Sequence, residues 1–340
     1  MIGAWYLVVA ASFGAYAVLD GFDLGAGVLH RRLARTDAER RQILRAVGPL
    51  WDGAEVWLLA GAGSLFTAFP AVAATAFSGF YLPTMFVLWA LTLRALGVEL
   101  RAHGEGPVWG AVWDASFALG SGALCFLFGA MAGNVIRGVP LDVDGWTEIP
   151  LFTNFRTRPD VGFFDWFTLA CGAFGVVVLA FHGATFLAWK TDGAVADRAR
   201  AVVRRGAPVV AGAWIAAAAA LYAARSDVFL AGASRVAGVV ALAVAAAGLY
   251  GARRWSSRGN DRAAFLASCA FVGALWLSIA AALWPALLMG VTGALEAHAV
   301  AAPIGTLRFA LGWFAFGLPM VAAGLAYVFR YHRGRTRVEG

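Results

Sequence analysis

The chain has 340 residues, 61% of them hydrophobic and only 14% charged, with a mean hydropathy of +0.72. A soluble domain carries about 25% charged residues, so a soluble globular protein is excluded, and the long apolar runs exclude the short alternating segments of a membrane β-barrel. The net charge of +7 does not mark a nucleic-acid partner, because the basic residues sit in short loops between apolar runs and form no basic face.

In chain order the apolar runs predict about nine spans, over 4–30, 52–70, 72–100, 109–137, 164–190, 200–224, 229–252, 262–290 and 305–330. The first has no basic segment before it and reads as a span rather than a cleaved leader. Phe69-Pro70 separates the second and third, and Gly104 to Pro107 the third and fourth. The fold class is therefore all-α and polytopic. The expected organisation is a first four-helix bundle (1–138), an outer loop (139–163), a second four-helix bundle (164–290) and a peripheral helix (304–331).

Alternate connections carry 21 of the 27 Lys and Arg residues. The positive-inside rule then puts the N-terminus outside and the C-terminus in the cytoplasm. Trp5, Trp166, Trp284 and Trp313 fall at the expected outer interface. A faint internal echo links "LDGFDLGAGVLHRRLARTD", which ends span one, with "FHGATFLAWKTD", which ends span five.

The run "VLDGFDLGAG" at 18–27 places Asp20 and Asp23 inside the first span. A carboxylate near the middle of a bilayer costs about 2.5–3.5 kcal/mol on insertion scales. Three residues apart, the two acids share one helix face. Gly21 and Gly25 beside them form a small-xxx-small pair that admits a close neighbour helix. "PLWDGAEVWLL" at 49–59 repeats the spacing with Asp52 and Glu55 at the cytoplasmic start of span two. Arg94, Asp114 and His182 also fall in the cytoplasmic half of their spans.

This asymmetry suits a hydrated half-channel that takes up protons from the cytoplasm. It also suits interhelical hydrogen bonding, with Arg94 paired to an acid for stability. His182 is the one histidine well inside a span. With no paired histidines and no H-E-x-x-H, no catalytic, metal or haem-ligating set is expected in this chain. Cys125, Cys171 and Cys269 stand alone in separate apolar runs and form neither a disulfide framework nor a thiolate site.

Three stretches together resemble subunit II of cytochrome bd ubiquinol oxidase: "DGFDLGAG" in span one, "PLWDGAEVWLLAGAGSLFTAFPAVAATAFSGFY" after the basic "RTDAERR" loop, and "FHGATFLAWKTDG" at 181–193. The resemblance implies a haem-free subunit of a bacterial plasma-membrane respiratory oxidase. In that enzyme a quinol is oxidised and O2 reduced to water, with the haems and the quinol site in subunit I. It implies that subunit II supplies protons from the cytoplasm, and that in some members it holds a structural quinone. The resemblance makes Asp52 the family's proton-entry residue and matches Asp20 and Asp23 to its Asp-Gly-Phe-Asp acids; with Glu55, read from the spacing above, the expected proton path is Asp52, Glu55, Asp20 and Asp23. Supporting positions are Trp51, Trp57, Arg94, Asp114 and His182. Implied partners are subunit I, small single-span subunits, lipid and quinol. Ala54 departs from the family, which often has Asn after Trp-Asp-Gly, and an amide able to hold water is lost there. Two other readings stay open. One is a stand-alone proton-coupled transporter, for which helices broken at matching places in two halves would be the mark. The other is a purely structural subunit.

Overall fold

The computed structural model describes residues 1–337 except 105, 143 and 292. Span one is two helices, α1 (Ile2–Leu19) and α2 (Gly21–Leu33), jointed at Asp20. A short helix α3 (Asp37–Val47) follows, then α4 (Trp51–Ala68), α5 (Pro70–Gly79), α6 (Tyr81–Ala102) and α7 (Pro107–Arg137). The second half holds α8 (Trp166–Lys190), α9 (Gly193–Ala224), α10 (Ser226–Ser234), α11 (Val236–Ser257) and α12 (Asp261–Leu283). A hairpin of β1 (Ala286–Met289) and β2 (Ala294–Glu296), a single turn α13 (Ala297–Val300) and the long α14 (Ile304–Tyr331) complete it.

Among the described residues eight helices, counting α1–α2 as one, are long and apolar enough to cross a membrane. The chain is an all-α, multi-pass membrane protein. The remaining expected span, α4, is 18 residues long, about 27 Å at 1.5 Å per residue. Asp52 and Glu55 in its first turns lower its apolar character.

Three expected spans differ in detail. The third begins at Tyr81, because a separate helix α5 starts on Pro70 and ends at Gly79. The seventh is likewise preceded by a separate helix, α10. These joints fall at corresponding places in the two halves, yet each lies before a full 22-residue helix rather than within it. The eighth stops at Leu283 instead of 290. The ring of Pro285 cannot continue a helix and disfavours helical geometry in Trp284 before it, so the chain turns into the hairpin.

The two echo segments meet in space. A Cβ on Gly25 would lie 1.8 Å from the Leu179 carbonyl oxygen, and one on Gly183 would lie 2.2 Å from the Gly25 carbonyl carbon. α2 and α8 therefore pack backbone against backbone, which only glycine permits. The Thr-Asp closing each echo starts the next helix: Thr36 caps α3 in a capping box, and Asp192 is the N-cap of α9.

One buried apolar cluster joins α2, α3, α8, α9, α11 and α12, and a second joins α1, α5, α6, α7 and α14. Trp5 belongs to the second, not to a lipid interface. It is fully buried and donates Nε1–H to the Leu307 carbonyl of α14 at 3.1 Å. At the arginine-rich end, the amide of Gln42 donates to the carbonyls of Thr336 and Asp192 at 2.7 and 3.1 Å, tying the tail after α14 to α3 and α9. At the other end, buried Arg137 pairs with Asp165, the N-cap of α8. It also bonds the Gly162 carbonyl at 2.9 Å and Asn134 at 2.7 Å, which orders the long loop.

Candidate functional site

Local sequence decides where the acids can stand. The α1–α2 joint leaves Asp20 in helical geometry, with its N–H bonded to Tyr16 and its carbonyl accepting from Leu24. Its side chain is fully buried where α1–α2 passes α4 and α6. Asp52 and Glu55 stand in the first turns of α4, where the helix dipole favours negative charge. Arg94 reaches in from α6, eight residues before that helix ends.

These elements converge on one guanidinium. Arg94 Nη1 donates to Asp20 Oδ1, and Nη2 donates to Glu55 Oε1 at 3.2 Å. The Trp51 ring lies 5.6 Å from the guanidinium carbon, within cation–π range. Arg94 and Asp20 are sealed from solvent, whereas the Glu55 side chain is 30% exposed. Asp52 is exposed, within electrostatic range of Glu55, and has no ion pair or hydrogen bond among the described residues. Asp23 is fully buried, interacts electrostatically with Asp20 and Arg94, and neither of its carboxylate oxygens has a hydrogen-bond partner among the described residues. Exposure thus falls from Asp52 to Glu55 and then to Asp20 and Asp23, which are both fully buried.

The other expected positions lie elsewhere. Asp114 belongs to a second cluster on α7, accepting from His30 Nε2 at 2.9 Å and Arg101 Nε at 3.2 Å, with Arg40 at 3.5 Å. Arg101 also reaches Asp37. His182 sits in a third cluster. Its Nε2–H donates to the Val18 carbonyl at 2.9 Å, so Nδ1 accepts from Ser268 Oγ at 2.7 Å, and Thr185 Oγ1 is 2.6 Å from that same oxygen. With both ring nitrogens committed to protein, His182 is a packing and bonding residue rather than a free ligand. Trp57 is half-buried, and its ring N–H has no hydrogen-bond partner among the described residues. Among the described residues no group of three or more His, Cys, Asp or Glu could hold a metal ion.

Two residues of the site escape the motif reading. Ser12 Oγ is buried with no hydrogen-bond partner among the described residues, and Tyr16 OH is buried beside the Asp20 carboxyl. They lie eight and four residues before Asp20, so the four-residue stripe Ser12–Tyr16–Asp20 was visible in the spacing. His30 and Arg101 were visible only as residues near span ends.

The sequence profile described as "Cytochrome bd terminal oxidase subunit II" matches residues 1–332. A "Probable cytochrome oxidase subunit 2" of Haemophilus influenzae is 38% identical over 217 residues, which is 62% of this chain and 56% of that protein. "Cytochrome bd-I ubiquinol oxidase subunit 2" of Escherichia coli K12 is 36% identical over the same shares. "Cytochrome bd ubiquinol oxidase subunit 2" of Bacillus subtilis is 35% identical over 226 residues, 66% of this chain and 64% of that protein. The chain thus spans little more than half the length of the first two relatives. A solved structure of the bd oxidase from Geobacillus thermodenitrificans superposes with a TM-score of 0.73 over 97% of this chain and 98% of that one. Identity there is 17%, so the likeness speaks for the fold.

Proposed function

We propose a role in proton supply for this chain, which belongs to the cytochrome bd terminal oxidase subunit II family. It serves as the haem-free second subunit of a quinol-oxidising, O2-reducing complex. The haems and the quinol site lie in the partner, and this subunit brings protons from the cytoplasm toward them. The names of its relatives support the complex, and the bias of basic residues supports an arginine-rich end turned to the cytoplasm. The two four-helix halves and a peripheral α14 belong to the same reading.

One observation carries the proton role. An exposed acid, a half-exposed acid and two sealed acids stand in sequence around a single guanidinium. Of these four acids, Glu55, Asp20 and Asp23 face the one cation, and three negative charges there would leave net negative charge in the site, so the set is suited to hold and exchange protons. Asp52 collects a proton at the surface and Glu55 passes it inward. Asp20 and Asp23 then carry it deeper, and Arg94 keeps the charge at Asp20 matched. The unpartnered oxygens of Asp23 and the hydroxyls of Tyr16 and Ser12 suit a short file of water.

The Arg94 bridge also ties α1–α2, α4 and α6 together, which favours a structural role as the second reading. Asp52 separates the two, because it is exposed and unpaired and its neutralisation removes no contact. With Asp52→Asn in the assembled complex, O2 consumption and proton uptake are expected to fall while assembly is unchanged. Unchanged turnover in an intact complex would leave only the structural role.

A further inference from the structure

At the end of the molecule opposite the acids, α1, α11 and α12 leave a groove of about 650 Å³ between them. Its wall is formed by Leu7, Val240, Val244 and Leu277, with Tyr6 and Trp284 at its mouth. The small residues Gly3, Ala237 and Ala241 make the space. Tyr6 and Trp284 stack edge to face at 4.9 Å, and the Tyr6 hydroxyl donates to the Ala280 carbonyl at 2.7 Å. Aromatic rings with one apolar and one polar end mark the headgroup level of a bilayer.

One cation stands at this mouth. Arg235, just before α11, donates Nη1–H to the carbonyls of Ala281 and Ala282 at 2.7 and 2.9 Å. Those carbonyls are among the open acceptors at the end of α12, so they fix the guanidinium in place. Two other arginines of this end, Arg137 and Arg225, are each paired with a carboxylate, Asp165 and Asp227. Arg235 has no carboxylate partner among the described residues, and its Nε–H and Nη2–H donors have no protein acceptor among them. A positioned guanidinium presents a fork that matches phosphate oxygens.

We propose that this groove holds one phospholipid with a net negative headgroup. Its phosphate bonds to Nε–H and Nη2–H of Arg235, and one acyl chain lies along Val240, Val244 and Leu277. The charge at the mouth selects this occupant. A zwitterionic lipid brings its own cation, and a quinone head is neutral, so neither balances Arg235 as well. The site is independent of the proton role proposed above.

The test uses the purified oxidase complex in detergent, titrated with phosphatidylglycerol, phosphatidylcholine or ubiquinone in mixed micelles. Bound molecules are identified by native mass spectrometry. The wild type is expected to retain phosphatidylglycerol in preference to the others. Arg235→Gln is expected to weaken that retention about tenfold, as befits loss of a charged hydrogen bond, and Arg235→Lys to restore part of it. Val244→Trp fills the groove while leaving Arg235 in place, and should displace the lipid even where Arg235→Gln fails to assemble. Equal retention by the wild type and Val244→Trp, equal binding of phosphatidylcholine, or ubiquinone as the molecule displaced would each overturn the proposal.

Discussion

Arg94 and Asp20, 74 residues apart in sequence, are joined in a fully buried ion pair that links α6 to the α1–α2 joint. The same guanidinium holds Glu55 of α4 at 3.2 Å. One side chain thus organises both the packing of three spans and the chemistry between them.

Removing Arg94 leaves the Asp20 carboxylate buried without its partner. Breaking a buried pair from one side costs about 3–5 kcal/mol. Arg94→Met is therefore expected to lower the thermal midpoint of the complex sharply. Asp20→Asn/Arg94→Met together should cost less than the sum of the two single changes, as a double-mutant cycle followed by thermal unfolding will read.

Glu55 joins the exposed and sealed parts of the acid series. Glu55→Gln keeps its volume and can still accept from Arg94, but it cannot carry a proton. Proton uptake, followed with a pH-sensitive dye during turnover, should slow by about 10²-fold, the low end for losing a positioned proton-transfer group. Stability should change little.

Gly25→Ala tests the contact of α2 with α8. Its Cβ would fall 1.8 Å from the Leu179 carbonyl oxygen, so the two helices must separate. The expected cost is about 1–3 kcal/mol, the usual range for overpacking, read as a lower midpoint and a smaller yield of assembled complex. Gly63→Ala, where nothing lies within 4 Å, should be close to neutral by the same measurement.

The α3 loop helix should come away from α9 in acid. Glu39 pairs with Arg198 at 2.6 Å. Burial alone would push its carboxyl up, but the bonds from Arg198 and the Arg35 and Thr36 amides outweigh this and hold it below the ordinary carboxylate range. A lowered native pKa means that the stabilisation is complete above the unfolded value, about 4.3, and is lost as pH falls through the native one. Protection of the α3 amides against hydrogen exchange, relative to the intrinsic rate at each pH, should therefore fall below about pH 4, and Glu39→Gln should show the lower protection already at neutral pH.

The class of the molecule, the approximate places of most of its spans and the presence of acids within them were legible in the sequence alone. Apolar runs long enough to cross a bilayer have no other stable use, and a carboxylate within one must have a reason to be there. Asp20, Asp23, Asp52 and Glu55 were legible for that reason, because each breaks a strong local pattern. What lay beyond the sequence was which of the inner polar residues meet. Arg94 joined Asp20 and Glu55, while Asp114 went to His30 and Arg101 and His182 to Val18 and Ser268. All three sit at similar depth on different helices. Only the rotation of each helix about its axis, set by close contacts such as Gly25 against Gly183, decides the partner. The bonds of Arg235 to the α12 carbonyls beside the apolar groove are likewise products of packing between distant segments, for which no local periodicity exists.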